Sequence, residues 1–148
     1  MGAAILTDIS VKGDQDHSAA DMLTAFTEGT EDVKYSIIIS ADGLLVASAG
    51  ITERAYADRM AGVVSALGSV ARGGGQTLST GGFRQLLVDM EQGHLIVCSL
   101  SDGCDLGVLA MADCDLGLIG YEVASLVRDF EGVLTADVTA ELKAMLPD

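Results

Sequence analysis

Three consecutive isoleucines, Ile37-Ile38-Ile39, lie inside the β-branched stretch VKYSIIIS that runs from Val33 to Ser40. Side chains on a strand alternate between its two faces, so an unbroken apolar triplet fills both and demands a cover on each. The stretch therefore reads as a strand buried on both sides. Ala41-Asp42-Gly43 is a tight turn, and Leu44 to Ala49 returns as the second strand of a hairpin.

Apolar periodicity places helices around this hairpin. Ala19, Met22, Leu23 and Phe26 form one stripe of a helix that starts at Ser18, with Asp21 completing a capping box and Gly29 closing the far end. Residues 1–16 read as a flexible leader. After the hairpin, Thr52 caps a helix from Glu53 to Arg72, in which Tyr56, Met60, Val63, Val64, Leu67, Val70 and Ala71 keep a 3.6-residue period. The glycines Gly73-Gly74-Gly75 end it. Three strands follow as a meander, Phe83–Glu91, His94–Leu100 and Leu106–Ala112. Asp115 caps a helix carrying Ile119, Val123, Leu126, Val127 and Phe130, and Thr135 opens a last amphipathic helix with Val138, Leu142, Met145 and Leu146, stopped by Pro147. The order α-β-β-α-β-β-β-α plus a C-terminal helix is that of an α+β domain over 17–131 with a tail over 132–148.

The second helix has an uncommon outer face. Ala61, Gly62, Ser65, Ala66, Gly68 and Ser69 are all small where a solvated helix would carry Lys and Glu. Each helical glycine costs about 1 kcal/mol relative to alanine, so a close contact is the natural compensation. The expectation is a flat partner on this face, most simply another helix.

Charge narrows the partners. The chain carries a formal −14 with 49% apolar residues, which excludes acidic disorder and disfavours nucleic acid and anionic membrane surfaces. The charge is uneven: residues 53–84 hold Glu53 and Asp58 against Arg54, Arg59, Arg72 and Arg84, a net +2 on an acidic molecule. No Lys or Arg precedes an apolar run at the N-terminus, as an export signal requires, and the longest uncharged apolar stretch, Met60 to Ala71, falls short of the roughly 20 residues of a membrane span. Cys98, Cys104 and Cys114 make neither a CxxC pair nor an even set, which points to a reduced, cytoplasmic compartment.

Catalytic patterns are scarce. The glycines at 73–75 follow a helix and have no Lys after them, the reverse of a phosphate loop. The carboxylates around Cys104 and Cys114 lack the ligand spacing of a calcium or magnesium loop, and Asp115 serves as a cap. The two histidines, His17 and His94, have no nucleophile placed beside them. The chain reads as a non-enzymatic interaction module without metal or cofactor.

The hairpin YSIIISADGLLVASAG, the helix ADRMAGVVSALGSVARGGG, the meander FRQLLVDMEQGHLIVCSLSDGCDLGVLA and the helix start CDLGLIGYEVASLV together resemble the Roadblock/dynein-light-chain family, in its bacterial MglB-like branch. Within that branch the match is to actinobacterial Roadblock proteins paired with a small Ras-like GTPase and a sensor-kinase-like protein. The resemblance implies a five-stranded antiparallel sheet with one helix on one face and the others opposite. It further implies a homodimer in which the second helix and third strand pair across a twofold axis, putting Gly62, Ser65, Ala66 and Ser69 on a helix seam and Phe83, Gln85 and Leu87 on a strand seam. The implied activity is regulation of a small GTPase, by stimulating hydrolysis or by scaffolding, through the paired helices. From the charge partition, Arg54, Asp58, Arg59 and Arg72 are the candidate partner contacts. Two other readings share this element order: a small-molecule sensor of PAS- or profilin-like fold, and a purely structural dimeric scaffold.

Overall fold

The computed structural model describes residues 11–147 and places five strands in one antiparallel sheet between two helical layers. β1 (Val33–Ile39) and β2 (Leu45–Ala49) form the hairpin, and β3 (Gln85–Met90), β4 (Gly93–Ser99) and β5 (Asp105–Met111) form the meander. The spatial order is β2-β1-β5-β4-β3, so β1 pairs with β5 and the two units fuse into one sheet with β2 and β3 at its edges. Ile37, Ile38 and Ile39 are all buried, Ile38 in one layer and its neighbours in the other, as the triplet requires.

One layer holds α1 (Val11–Gly29), α3 (Leu116–Phe130) and α4 (Ala136–Met145); the other is α2 (Arg54–Leu78) alone. Leu23, Ile119, Val123, Phe130, Leu134 and Val138 fill the first core, and Ala57, Met60, Ala61 and Val64 of α2 fill the second. Asp115 caps α3 by accepting from the Leu118 N–H at 3.2 Å, and Thr135 caps α4 by accepting from the Val138 N–H at 3.2 Å.

Helix ends depart from expectation in two places. α1 already runs at Val11, so Ser18 lies inside it and is no cap, and residues 11–16 of the anticipated leader are helical. The remainder of that leader lies outside the described residues. α2 passes straight through Gly73-Gly74-Gly75 to Leu78, and its N-cap is Glu53 in place of Thr52. The helix turns off only at Ser79, whose left-handed backbone (φ 58°) lets its own N–H and that of Thr80 reach the carbonyls of Gln76 and Gly75. The returning chain crosses hard against Gly75: a Cβ there would stand 2.1 Å from the Gly81 carbonyl. Tertiary contact thus overrides the poor helix propensity of the triplet.

The tail is part of the fold. Val138 and Leu142 of α4 are buried, and the helix packs against β2 and α1. Lys143 Nζ lies 3.3 Å from Asp42 Oδ1 in the β1–β2 turn; the Ser40 hydroxyl, and then Lys143, hold that carboxyl below its usual range. Beyond α4 the chain reaches round to the other layer, where Leu146 joins the α2 core and the Pro147 carbonyl accepts from Arg54 Nη1 at 3.1 Å. α4 and the residues after it therefore close over the β2 edge of the sheet.

Candidate functional site

α2 sits unusually close to the sheet. Gly107 of β5 lies directly under Val64, where a Cβ would come within 2.6 Å of the valine methyl. This approach decides which face of α2 goes inward. The buried residues are Ala57, Met60, Ala61, Val64, Gly68 and Gly75, whereas Tyr56, Val63 and Val70, anticipated as core, are 38%, 51% and 74% exposed. Small residues are concentrated on the inward face, with Val64 accommodated over the bare Gly107.

The small-residue face consequently splits. Gly62, Ala66 and Ser69 point outward, and Gly73 continues their line at the same helical spacing. Ser65 turns instead towards the hairpin of its own chain, with its Oγ 2.7 Å from where a Cβ on Gly43 would stand. Gly68 makes room for the Asp105 carboxylate: a Cβ would meet Asp105 Oδ2 at 2.5 Å. The small residues therefore do not form one face: Gly62, Ala66 and Ser69 are exposed, whereas Ser65 and Gly68 are engaged within the chain.

Several large apolar side chains of α2 are exposed. Val63, Val70 and Leu78 (72% exposed) flank the small line, and on the same side of the sheet edge strand β3 adds Met90 at 45%. Gln85 and Leu87 face the sheet side opposite α2, since their partners Cys98 and Ile96 belong to the α1–α3 core. Phe83 precedes β3, half-buried, with the Arg72 guanidinium 5.1 Å above its ring. Between α2 and the β3–β4 end of the sheet lies an apolar recess of about 210 Å³ lined by Tyr35, Tyr56, Met60, Val63, Met90 and Leu95, with Arg59 at its rim. The two tyrosines meet edge-on with centroids 5.6 Å apart and their hydroxyls hydrogen-bonded, and burial pushes the Tyr35 phenol upward.

The four candidate partner residues separate into different roles. Arg54 Nε holds Asp58 at 3.0 Å on the first turns of α2. Arg59 lies 5.5 Å over the Tyr56 ring and, among the described residues, has no carboxylate partner. Arg72, its side chain 41% exposed, also makes an intramolecular ion pair: Nη1 reaches Asp105 Oδ2 at 3.1 Å and Nη2 grips Oδ1, pinning α2 to the start of β5. Asp105, with its side chain 3% exposed, is the residue sequence reasoning missed. It stands 33 residues from Arg72, beyond any local pattern; a carboxylate opening a buried strand was the available signal.

Cys98 and Cys104 are buried and Cys114 half-buried, all reduced, and burial pushes the Cys98 thiol up to about 11. His94 is packed beside Asp89, with Nε2 3.2 Å from the Ala112 carbonyl. Among the described residues, no three His, Cys, Asp or Glu converge on a metal-sized site, and no helix is long and apolar enough to cross a membrane.

Residues 19–110 match the model of the Roadblock/LC7 domain family. The Roadblock/LC7 domain from Streptomyces avermitilis superposes with a TM-score of 0.71 at 28% identity, covering 76% of this chain and 94% of that one. Myxococcus xanthus MglB superposes at 0.70 with 16% identity over 81% and 92% of the two chains, and the gliding protein MglB from Thermus thermophilus at 0.66 with 12% over 84% and 91%. No curated protein matches the sequence.

Proposed function

This chain belongs to the Roadblock/LC7 domain family, and from that premise we propose that it is a cytoplasmic, non-catalytic regulator of a small Ras-like GTPase, acting as a homodimer through α2 and β3. The observation that carries the reading is the outward face of α2. The line Gly62, Ala66, Ser69 and Gly73, flanked by exposed Val63 and Val70, lies on the same side of the sheet as exposed Met90 of edge strand β3. An apolar helix face beside an unpaired strand edge is what twofold pairing of helix on helix and strand on strand would bury.

The partner GTPase then meets the N-terminal half of the paired helices. Arg59 supplies a cation beside the apolar recess, and Arg54 and Asp58 form its polar border, an arrangement of apolar anchor and charged rim. Regulation follows if this surface binds one nucleotide state more tightly than the other and so shifts the switch-loop equilibrium. The test is GTP turnover by a small GTPase from the same source, with and without the protein, together with pull-down affinity in both nucleotide states. Faster turnover or state-dependent binding is expected; unchanged turnover with equal binding overturns the regulatory reading. Binding in both states without a rate change would leave the scaffold reading in its place.

A further inference from the structure

The layer opposite α2 carries a second surface with a different chemistry. α1 and α3 pack side by side there, and a groove of about 320 Å³ opens between them. Its floor is aromatic and aliphatic, Phe26 and Leu126, and Ala25 and Gly29 keep the α1 wall low. Its α3 wall carries Glu122, Ser125 and Asp129, and one turn before Glu122 the same wall presents Leu118, 50% exposed. Tyr121 beside it is 66% exposed, so α3 shows large apolar groups that neither core uses.

The charges are arranged in step. Glu122 and Asp129 lie two turns apart on one helix face, about 10.5 Å along the axis. On α1, exposed Asp21 and Glu28 repeat the seven-residue spacing outside the groove's lining, adding to the negative field around it. None of the four has a cationic partner among the described residues. A groove with an apolar floor and a row of carboxylates along its α3 wall is complementary to one kind of occupant, a helix with an apolar stripe and cations on the flank whose long stems also lie on apolar surface.

We propose that the α1–α3 groove docks a basic amphipathic helix of a partner protein. The helix lies along the groove with an apolar side chain over Phe26 and Leu126 and cations against Glu122 and Asp129. This surface is on the other layer from α2, so a partner here and a partner on α2 bind together.

The probe is a synthetic peptide of about five helical turns, with leucines on one face and arginines seven residues apart, titrated into the full-length protein. Backbone amide shifts confined to Met22–Gly29 and Leu118–Asp129 are expected, and binding that weakens by about tenfold in the double variant Glu122→Gln/Asp129→Asn. The control neutralises two exposed acids on distant turns, Glu91→Gln/Asp102→Asn. Absence of binding, shifts spread over the whole acidic surface, or an equal loss in the control would each overturn the proposal. Because these substitutions are conservative and none is at a buried position, an unchanged thermal melt verifies that each variant is folded.

Discussion

The Arg72 guanidinium holds both oxygens of the Asp105 carboxylate, and with that pair the C-terminal half of α2 is fastened to the first residue of β5. The pair also explains its neighbours: Gly68 leaves room for the carboxylate, and Phe83 lies beneath the guanidinium. Removing the cation strands a buried charge. Arg72→Met should lower stability by about 3 kcal/mol, read from urea unfolding, and Arg72→Met/Asp105→Leu should recover much of the loss.

Glycines within one helix should respond with opposite signs. Gly68→Ala drives a methyl into Asp105, so the clash, about 1–3 kcal/mol, outweighs the gain in helix propensity, and the midpoint falls. At Gly74 nothing lies within 4 Å of the added Cβ. Gly74→Ala should therefore stabilise by about 0.5–1 kcal/mol. Equal responses in thermal melts would show that Gly68 is not wedged against the sheet.

That contrast marks what was readable from the amino-acid order. The hairpin, the meander and the caps Asp115 and Thr135 were legible because their signals are local: alternation, turn residues and a capping oxygen three positions away from an N–H. The extent of α2 was not, because Ser79 and the crossing at Gly81 decide it, and a glycine triplet alone reads as a break. Nor was its inward face, since Gly107, far along the chain, sets how near the helix lies and hence that Ala57 and Ala61, not Tyr56 and Val70, face the sheet. Of the candidate site, the arginines were visible by charge, but Arg72's partner was not.

Self-association through the outer line of α2 predicts a clean disruption. Gly62→Glu places a carboxylate in the middle of the proposed helix pair without touching either core, because nothing in the chain lies within 4 Å of a Cβ there. Light scattering at micromolar concentration should shift from dimer to monomer with an unchanged circular dichroism spectrum; a variant that stays dimeric assigns the seam elsewhere.

α4 should behave as core. Leu142 is 3% exposed among Val138 and the α1 layer, so Leu142→Ala should cost about 2–4 kcal/mol in a single cooperative transition. A loss under about 0.5 kcal/mol would make residues 136–147 an appendage.

Alkali should weaken the fold through its thiols. Cys98, raised by burial to about 11, keeps its proton where an unfolded thiol, near 8.5, has released it. Between roughly pH 9 and 11 the native state therefore binds more protons than the unfolded state, and stability falls as pH rises. Cys98→Ala should flatten that decline in denaturant midpoints without abolishing it, since burial also raises Cys104.

The clasp of α4 over β2 bears on how far any assembly can grow. A sheet has two edges at which strands add, and here one is flanked by the chain's own tail, with α4 packed against β2 and Leu146 and Pro147 carried round to the far layer. Joining at β3 leaves a clasped β2 at each outer end of the combined ladder. If the chain pairs at β3 as proposed, strand addition would end at that first step, and the residues that complete the monomer's core would also cap the combined sheet.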